Sequence, residues 1–181
     1  MTLEFVLGTA VLALLFAVFS AAYVLRQDKG TARMIEIAKA IQEGATAFLS
    51  RQYRTVAIFT VVIAAILGFL LGTATAISFV AGAILSALAG YVGMQISIRA
   101  NVRTAKAAEK GLSKGLSTAF RGGTVTGFSV VGLGLLGVSV LYWLYSDVNL
   151  IIGFSFGASL VSLFARVGGG IFTKAADVGA D

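Results

Sequence analysis

The chain of 181 residues contains no cysteine, no histidine and no proline. The first two absences exclude disulfides, thiolate catalysis, histidine metal ligands and imidazole bases, so any chemistry must use carboxylates, lysine, arginine or hydroxyl groups. Charge is also scarce, at 12% of residues, whereas 58% are hydrophobic and the mean hydropathy is +0.95. Soluble domains of this length are far less apolar. The composition therefore indicates an integral membrane protein.

Five segments are long and apolar enough to cross a bilayer, for which about 20 residues are needed. They cover approximately residues 5–25, 55–72, 74–98, 124–145 and 150–181, and the last is long enough to extend into the cytoplasm. No Lys or Arg precedes the first apolar run, so that segment is predicted to be an uncleaved helix rather than a signal peptide. We predict an all-α, polytopic transmembrane helix bundle forming one membrane domain over residues 1–181.

The basic residues are placed asymmetrically along the chain. Six lie within residues 26–54 and six within residues 99–121, whereas the short connections after the second and fourth spans carry none. The positive-inside rule therefore predicts an N-terminus outside, two basic connections in the cytoplasm and a last helix that ends in the cytoplasm. The net charge of +6 does not indicate nucleic-acid binding, because no aromatic side chains alternate with the basic ones.

Both basic connections have a helical pattern. Apolar residues recur at steps of three and four over residues 34–48, and no proline intervenes before the second span, so one continuous helix is predicted there. The second connection is predicted to be helical with breaks near Gly111, Gly115 and Gly122-Gly123. Small residues at four-residue steps predict close helix packing within the bundle, with a subunit interface on the third or fourth helix as the alternative. These small residues are Ser78, Gly82, Ser86, Gly90, Gly123, Gly127, Gly153 and Gly157.

Four charged residues, Arg166, Lys174, Asp177 and Asp181, follow the last apolar run. At about 100° per residue they fall on one face of a helix. For Lys174, Asp177 and Asp181, spacing alone favours a solvated helix face with ion pairs. Arg166 would then be a basic residue that marks the cytoplasmic end of a span. The alternative is a site at which two carboxylates and a lysine hold a divalent cation together with a phosphate-like anion.

The string RVGGGIFTKAADVGAD, residues 166–181, closely resembles the opening of the substrate-site signature of membrane-bound, ion-pumping inorganic pyrophosphatases. Three further segments also resemble the N-terminal region of that family, so that the resemblance extends over residues 33–181. They are IQEGATAFLSRQY, GMQISIRANVRTAKAA and FRGGTVTGFSVVGLGLLG.

The resemblance implies a homodimer with about sixteen helices per subunit, embedded in lipid, in a prokaryotic inner (plasma) membrane. Such a pump couples Mg²⁺-dependent pyrophosphate hydrolysis at a cytoplasmic site to outward transport of H⁺, the favoured ion here, or Na⁺. By motif match, Lys174 resembles a pyrophosphate-binding lysine, Asp177 and Asp181 resemble Mg²⁺ ligands, and Arg166 resembles an arginine of the ion pathway.

In that family the catalytic aspartates and the positions that set K⁺ dependence and ion choice lie on later helices. No catalytic residue is therefore assigned within this chain, which corresponds to an N-terminal fragment and is expected to be inactive alone. Two other interpretations follow from the charges and spans. One is a secondary transporter or channel subunit without hydrolysis, in which Arg166 and the aspartates line an ion path, and the other is a membrane scaffold.

Overall fold

The computed structural model describes residues 3–181, and within them the regular secondary structure consists of α-helices alone. Each of its five helices is long and apolar enough to cross a membrane, which confirms the predicted all-α transmembrane fold. The helices are α1 (Leu3–Leu25), α2 (Ala32–Leu71), α3 (Thr73–Ala108), α4 (Leu112–Tyr145) and α5 (Asn149–Ala180).

The helices expose most of their apolar surface. In the most apolar 18-residue stretch of each helix, only 6% to 33% is buried inside the structure. Side chains as large as those of Phe69 and Trp143 are 91% and 68% exposed. An apolar surface of this extent is unstable in water and is typical of a protein surrounded by lipid. The structure therefore agrees with the composition.

Each connection between two helices contains one residue in the left-handed backbone region. Gly30, Gly72 and Gly111 have φ of +81°, +95° and +115°, a region that only glycine adopts without strain. Gly72 is the single residue between α2 and α3. Before α5, Ser146 has φ of +50°, and the Asp147 carboxylate accepts a hydrogen bond of 2.8 Å from the backbone N–H of Asn149.

The helix continuity predicted for the first basic connection is confirmed, because α2 runs for 40 residues without a break. At 1.5 Å per residue its length is about 60 Å, twice a hydrocarbon core. The second connection differs from its prediction. It breaks at Gly111, but α4 runs through Gly115 and Gly122-Gly123, so breaks there were wrongly predicted. A Cβ added to Gly122 would lie only 3.0 Å from the Cβ of Ala100. The glycine therefore allows Ala100 to pack closely against α4.

The helices form two compact units, described here separately. The first consists of the chain up to Ala47 together with Ala89–Leu136. Phe16 of α1 and Phe128 of α4 meet edge to face, with ring centroids 4.9 Å apart. The α1 and α4 helices also approach closely at Gly132, where an added Cβ would lie 2.7 Å from a methyl carbon of Leu14.

The second unit consists of Phe48–Leu88 and Gly137–Asp181. Its core contains Val56, Ala83 and Val161, from α2, α3 and α5. The assignment of residues 1–181 to one membrane domain stays a prediction.

Two glycines bring α3 and α5 into backbone contact within this unit. A Cβ on Gly82 would overlap the carbonyl oxygen of Phe154, and one on Gly157 would overlap that of Phe79. The predicted close packing is therefore confirmed for the third and fifth helices. Among the described residues, no atom lies within 4 Å of a Cβ added to Gly123 or Gly127, so close packing at these two positions stays a prediction. A subunit interface on the third or fourth helix stays a prediction.

Candidate functional site

The predicted site residues lie on the second half of α5. Because this helix is unbroken from Asn149 to Ala180, Arg166, Lys174 and Asp177 project within about 80° of one another. Asp181 caps the helix and donates its backbone N–H to the Asp177 carbonyl oxygen at 3.2 Å. The prediction that these charges share one side of a single helix is confirmed for the three helical residues.

The opposite side of α5 packs against α2 within the second unit. Phe164 contacts Phe59 with ring centroids 5.2 Å apart, and Phe172 stacks on Phe48 at 4.9 Å and 26°. Between them, Gly168 leaves room for Gln52, whose amide oxygen would lie 2.6 Å from an added Cβ.

Phe164, Gly168 and Phe172 follow one another at four-residue steps, which places them on a single stripe of α5. The three charged helical residues lie on average roughly 170° around the helix from this stripe. Packing on α2 therefore orients the charged face outward.

Lys174 and Asp177 form an exposed ion pair. The Lys174 Nζ lies 3.9 Å from a carboxylate oxygen of Asp177, and the two side chains are 74% and 67% exposed. Exposed pairs of this kind contribute about 0–1 kcal/mol to stability. Their mutual attraction is therefore too weak to prevent either group from binding a ligand.

Arg166 lies about 12 Å before Lys174 along the helix axis, at 1.5 Å per residue. Its side chain is exposed, and no carboxylate among residues 3–181 is within ion-pair distance of it. Val167, the next residue, and Ile171, on the following turn, are also exposed, at 58% and 68%. A guanidinium beside apolar side chains on a membrane helix is unfavourable in lipid and indicates contact with polar protein or water.

The carboxylates fit part of a magnesium site. Mg²⁺ is usually held by one or two carboxylates together with substrate phosphates and water, and Asp177 and Asp181 are one helical turn apart. Within the described part of the chain, no group of three or more carboxylates could bind a metal by itself. Any Mg²⁺ held here would therefore require oxygen atoms from phosphate or from other protein segments.

Comparison with known proteins identifies the family. A family model described as inorganic H⁺ pyrophosphatase matches residues 11–181. The chain belongs to this pyrophosphatase family. It is 60% identical over 172 residues to a protein of Methanosarcina mazei named K(+)-insensitive pyrophosphate-energized proton pump, a match that covers 94% of this chain and 26% of that protein.

Two other pyrophosphatase relatives have the same coverage, 94% of this chain and 26% of their own length. The K(+)-insensitive pyrophosphate-energized proton pump 2 of Moorella thermoacetica is 49% identical over 179 residues. The putative K(+)-stimulated pyrophosphate-energized sodium pump of Clostridium tetani is 48% identical over 172 residues. The chain thus spans about a quarter of the length of these pyrophosphatases, and the resemblance seen in its motifs is confirmed.

The structure adds residues that the sequence interpretation did not single out. Gln52, Phe48 and Phe172 position the charged half of α5, and the Gln52 amide oxygen is buried without a hydrogen-bond partner in the described part of the chain. Gln52 and Phe48 both lie in the IQEGATAFLSRQY segment. The resemblance of that segment to pyrophosphatases was the sequence signal that could have pointed to these two residues. It did not show which side chains of the segment contact α5.

Proposed function

We propose that the full-length protein containing this chain hydrolyses pyrophosphate in a Mg²⁺-dependent reaction and uses the energy to move H⁺ outward across a membrane. The observation that carries this proposal is the match of residues 11–181 to the inorganic H⁺ pyrophosphatase family. The exposed charged face of α5 supports it, because that face presents a cation and carboxylates together.

Lys174 is proposed to bind the pyrophosphate oxygens, and Asp177 and Asp181 to hold Mg²⁺. Bound Mg²⁺ neutralises phosphate charge and orients the phosphoanhydride for attack. The ammonium of Lys174 supplies a further positive charge where negative charge collects on the leaving phosphate. When Lys174 binds phosphate and Asp177 binds the metal, their ion pair is broken. Because this pair is exposed, breaking it lowers the stability of the protein only slightly.

Arg166 is proposed to belong to the ion pathway. It lies about two helical turns from Lys174, nearer the apolar half of α5, which is the direction in which an ion released beneath the site would travel. A permanently charged guanidinium at this depth can favour or block passage of a cation according to the groups that approach it.

H⁺ is the proposed ion, without a requirement for K⁺. The relatives at 60% and 49% identity are named K(+)-insensitive proton pumps, whereas one at 48% is named a K(+)-stimulated sodium pump. The protein is further proposed to be a homodimer in a prokaryotic inner membrane, with its hydrolytic site facing the cytoplasm. The asymmetric distribution of basic residues supports that orientation.

The test is transport by the full-length protein in sealed vesicles. Pyrophosphate and Mg²⁺ are added outside inverted vesicles, with Na⁺ and K⁺ each present or absent. Internal pH is followed with a dye whose fluorescence is quenched on acidification. We expect internal acidification that requires Mg²⁺ and neither monovalent cation. Uptake of ²²Na⁺ without acidification would instead identify a sodium pump, and hydrolysis without any ion movement would refute coupled transport.

A further inference from the structure

Arg103 of α3 is a buried cation within the first compact unit. Its relative exposure is 5%. It donates hydrogen bonds from Nη1 to the Arg99 carbonyl oxygen at 2.6 Å and from Nη2 to the Leu25 carbonyl oxygen at 3.1 Å. Its Nε is buried and has no partner in the described part of the chain. All the acceptors that Arg103 reaches are therefore uncharged.

Arg99 lies one turn before Arg103 and has a similar environment. Its guanidinium donates to the backbone and side-chain oxygens of Gln95. Among residues 3–181, neither arginine is within ion-pair distance of a carboxylate. Two adjacent cations, one of them buried, are unfavourable unless an opposite charge is supplied. Their arrangement points to an anion that the protein binds from outside this part of the chain.

A cavity of about 320 Å³ opens beside these arginines. Lys29, Lys39, Arg99 and Arg103 line it together with Gln42, and no acidic residue does. Apolar side chains of α1, α2 and α3 complete its wall, all from the first unit. We call this space the Arg103 cavity. It combines four positive charges with a wall that is partly apolar.

A second cavity, of about 230 Å³, touches Arg103 and is less suited to an anion. Lys106, Lys110 and Lys114 line it, but so does Asp28. Lys106 is also neutralised by Glu109, whose carboxylate oxygen is 2.6 Å from its Nζ. The Arg103 cavity is therefore the better anion site.

The Arg103 cavity lies at a helix level where lipid headgroups are expected. Arg99 directly follows the apolar span predicted over residues 74–98, and α1 ends at Leu25, whose carbonyl binds Arg103. Basic pockets between transmembrane helices on the cytoplasmic side commonly bind anionic lipid headgroups. The apolar wall also suits the first carbons of acyl chains, which inorganic phosphate lacks.

We propose that the Arg103 cavity binds the phosphate group of an anionic phospholipid headgroup. Arg99 and Arg103, held by carbonyl and amide oxygens, provide fixed positive charge. Lys29 and Lys39, both exposed and without a carboxylate partner in residues 3–181, provide mobile ammonium groups for the phosphate oxygens. This site shares no residue with the charged face of α5 and does not depend on the proposed pump activity.

The test is lipid binding to the purified full-length protein, delipidated in a neutral detergent and examined by native mass spectrometry. Phosphatidylglycerol and phosphatidylcholine are titrated in parallel, and inorganic phosphate at 100-fold excess serves as competitor. The test variant is Lys29→Gln with Lys39→Gln. The matched control is Arg26→Gln with Arg33→Gln, which removes the same charge from exposed residues of the same connection that do not line the cavity.

We expect phosphatidylglycerol to be retained in preference to phosphatidylcholine. Each lysine near a membrane surface contributes a factor of roughly five, so the lysine variant should bind phosphatidylglycerol about 25-fold more weakly. The arginine control should bind it like the wild type. Equal retention of both lipids, or equal loss in both variants, would overturn the proposal. Displacement by inorganic phosphate would show that the ligand is a free anion and overturn its assignment to lipid.

Discussion

The Nζ of Lys174 lies 3.9 Å from a carboxylate oxygen of Asp177 on the outward face of α5. The helix brings the two groups together because they are three residues apart, and no buried contact fixes them. The geometry keeps both available to a ligand. The first compact unit contains an exposed ion pair with the same spacing, between Arg33 and Glu36, which are 74% and 68% exposed.

This similarity provides a matched control for the pyrophosphate site. Lys174→Ala or Asp177→Ala in the full-length protein should lower pyrophosphate hydrolysis by about 100-fold or more, because the first removes positive charge that stabilises the transition state and the second removes a proposed Mg²⁺ ligand. Arg33→Ala and Glu36→Ala should leave the rate within about twofold, since an exposed pair contributes little by itself. Phosphate release is the measurement. Comparable losses in both pairs would indicate a general folding defect rather than a site.

Arg166 should affect transport more than binding. Arg166→Gln is expected to reduce the ratio of H⁺ moved to pyrophosphate hydrolysed, since Arg166 is about 12 Å from Lys174 along α5. Arg166→Lys retains the charge and should preserve more coupling. Parallel measurements of acidification and phosphate release in vesicles check this. An unchanged ratio in Arg166→Gln would exclude Arg166 from the ion pathway.

The Phe48–Phe172 stack should stabilise the charged half of α5. Phe172→Ala is expected to lower the free energy of unfolding by about 1–3 kcal/mol, below the value for a fully buried phenylalanine because Phe172 is half-buried. A double-mutant cycle with Phe48→Ala should give a coupling energy of about 0.5–1.5 kcal/mol. Thermal unfolding in detergent provides the values. Strictly additive effects would mean that the two rings stabilise the protein independently.

Gly157 should tolerate no side chain. A Cβ there would overlap the backbone carbonyl oxygen of Phe79, so Gly157→Ala should separate α3 from α5 and destabilise the protein by about 1–3 kcal/mol. Gly134→Ala is the control, because no atom lies within 4 Å of its added Cβ. That substitution should be neutral or stabilising by up to about 1 kcal/mol. The midpoints of thermal unfolding will distinguish them, and a stable Gly157→Ala protein would contradict the close approach.

The number of helices and the continuity of α2 could be predicted because they depend on local patterns. The recurrence of apolar residues over residues 34–48, without an intervening proline, correctly predicted that α2 continues from the connection into the span. The same reasoning failed at Gly115 and Gly122-Gly123. Glycine weakens an isolated helix, but in a bundle it also permits close contact, here with Ala108 and Ala100. Which effect dominates depends on the neighbouring helix.

The candidate site was predictable only in part for the same reason. The shared face of Arg166, Lys174 and Asp177 follows from helical geometry, whereas the contacts of Phe172 and Gly168 with α2 join residues more than a hundred positions apart. The buried environment of Arg103 was also not predictable, because its partner Leu25 lies 78 positions away. A pattern of basic residues predicts a cytoplasmic connection but not which of those residues becomes buried.

The single-residue link at Gly72 has a consequence for biogenesis. With one residue between Leu71 and Thr73, there is no loop that could be translocated separately from its helices. The apolar part of α2 and the beginning of α3 must therefore enter the bilayer together as a helical hairpin. The tip of this hairpin carries no charged side chain, so it can cross without the cost of moving one through hydrocarbon.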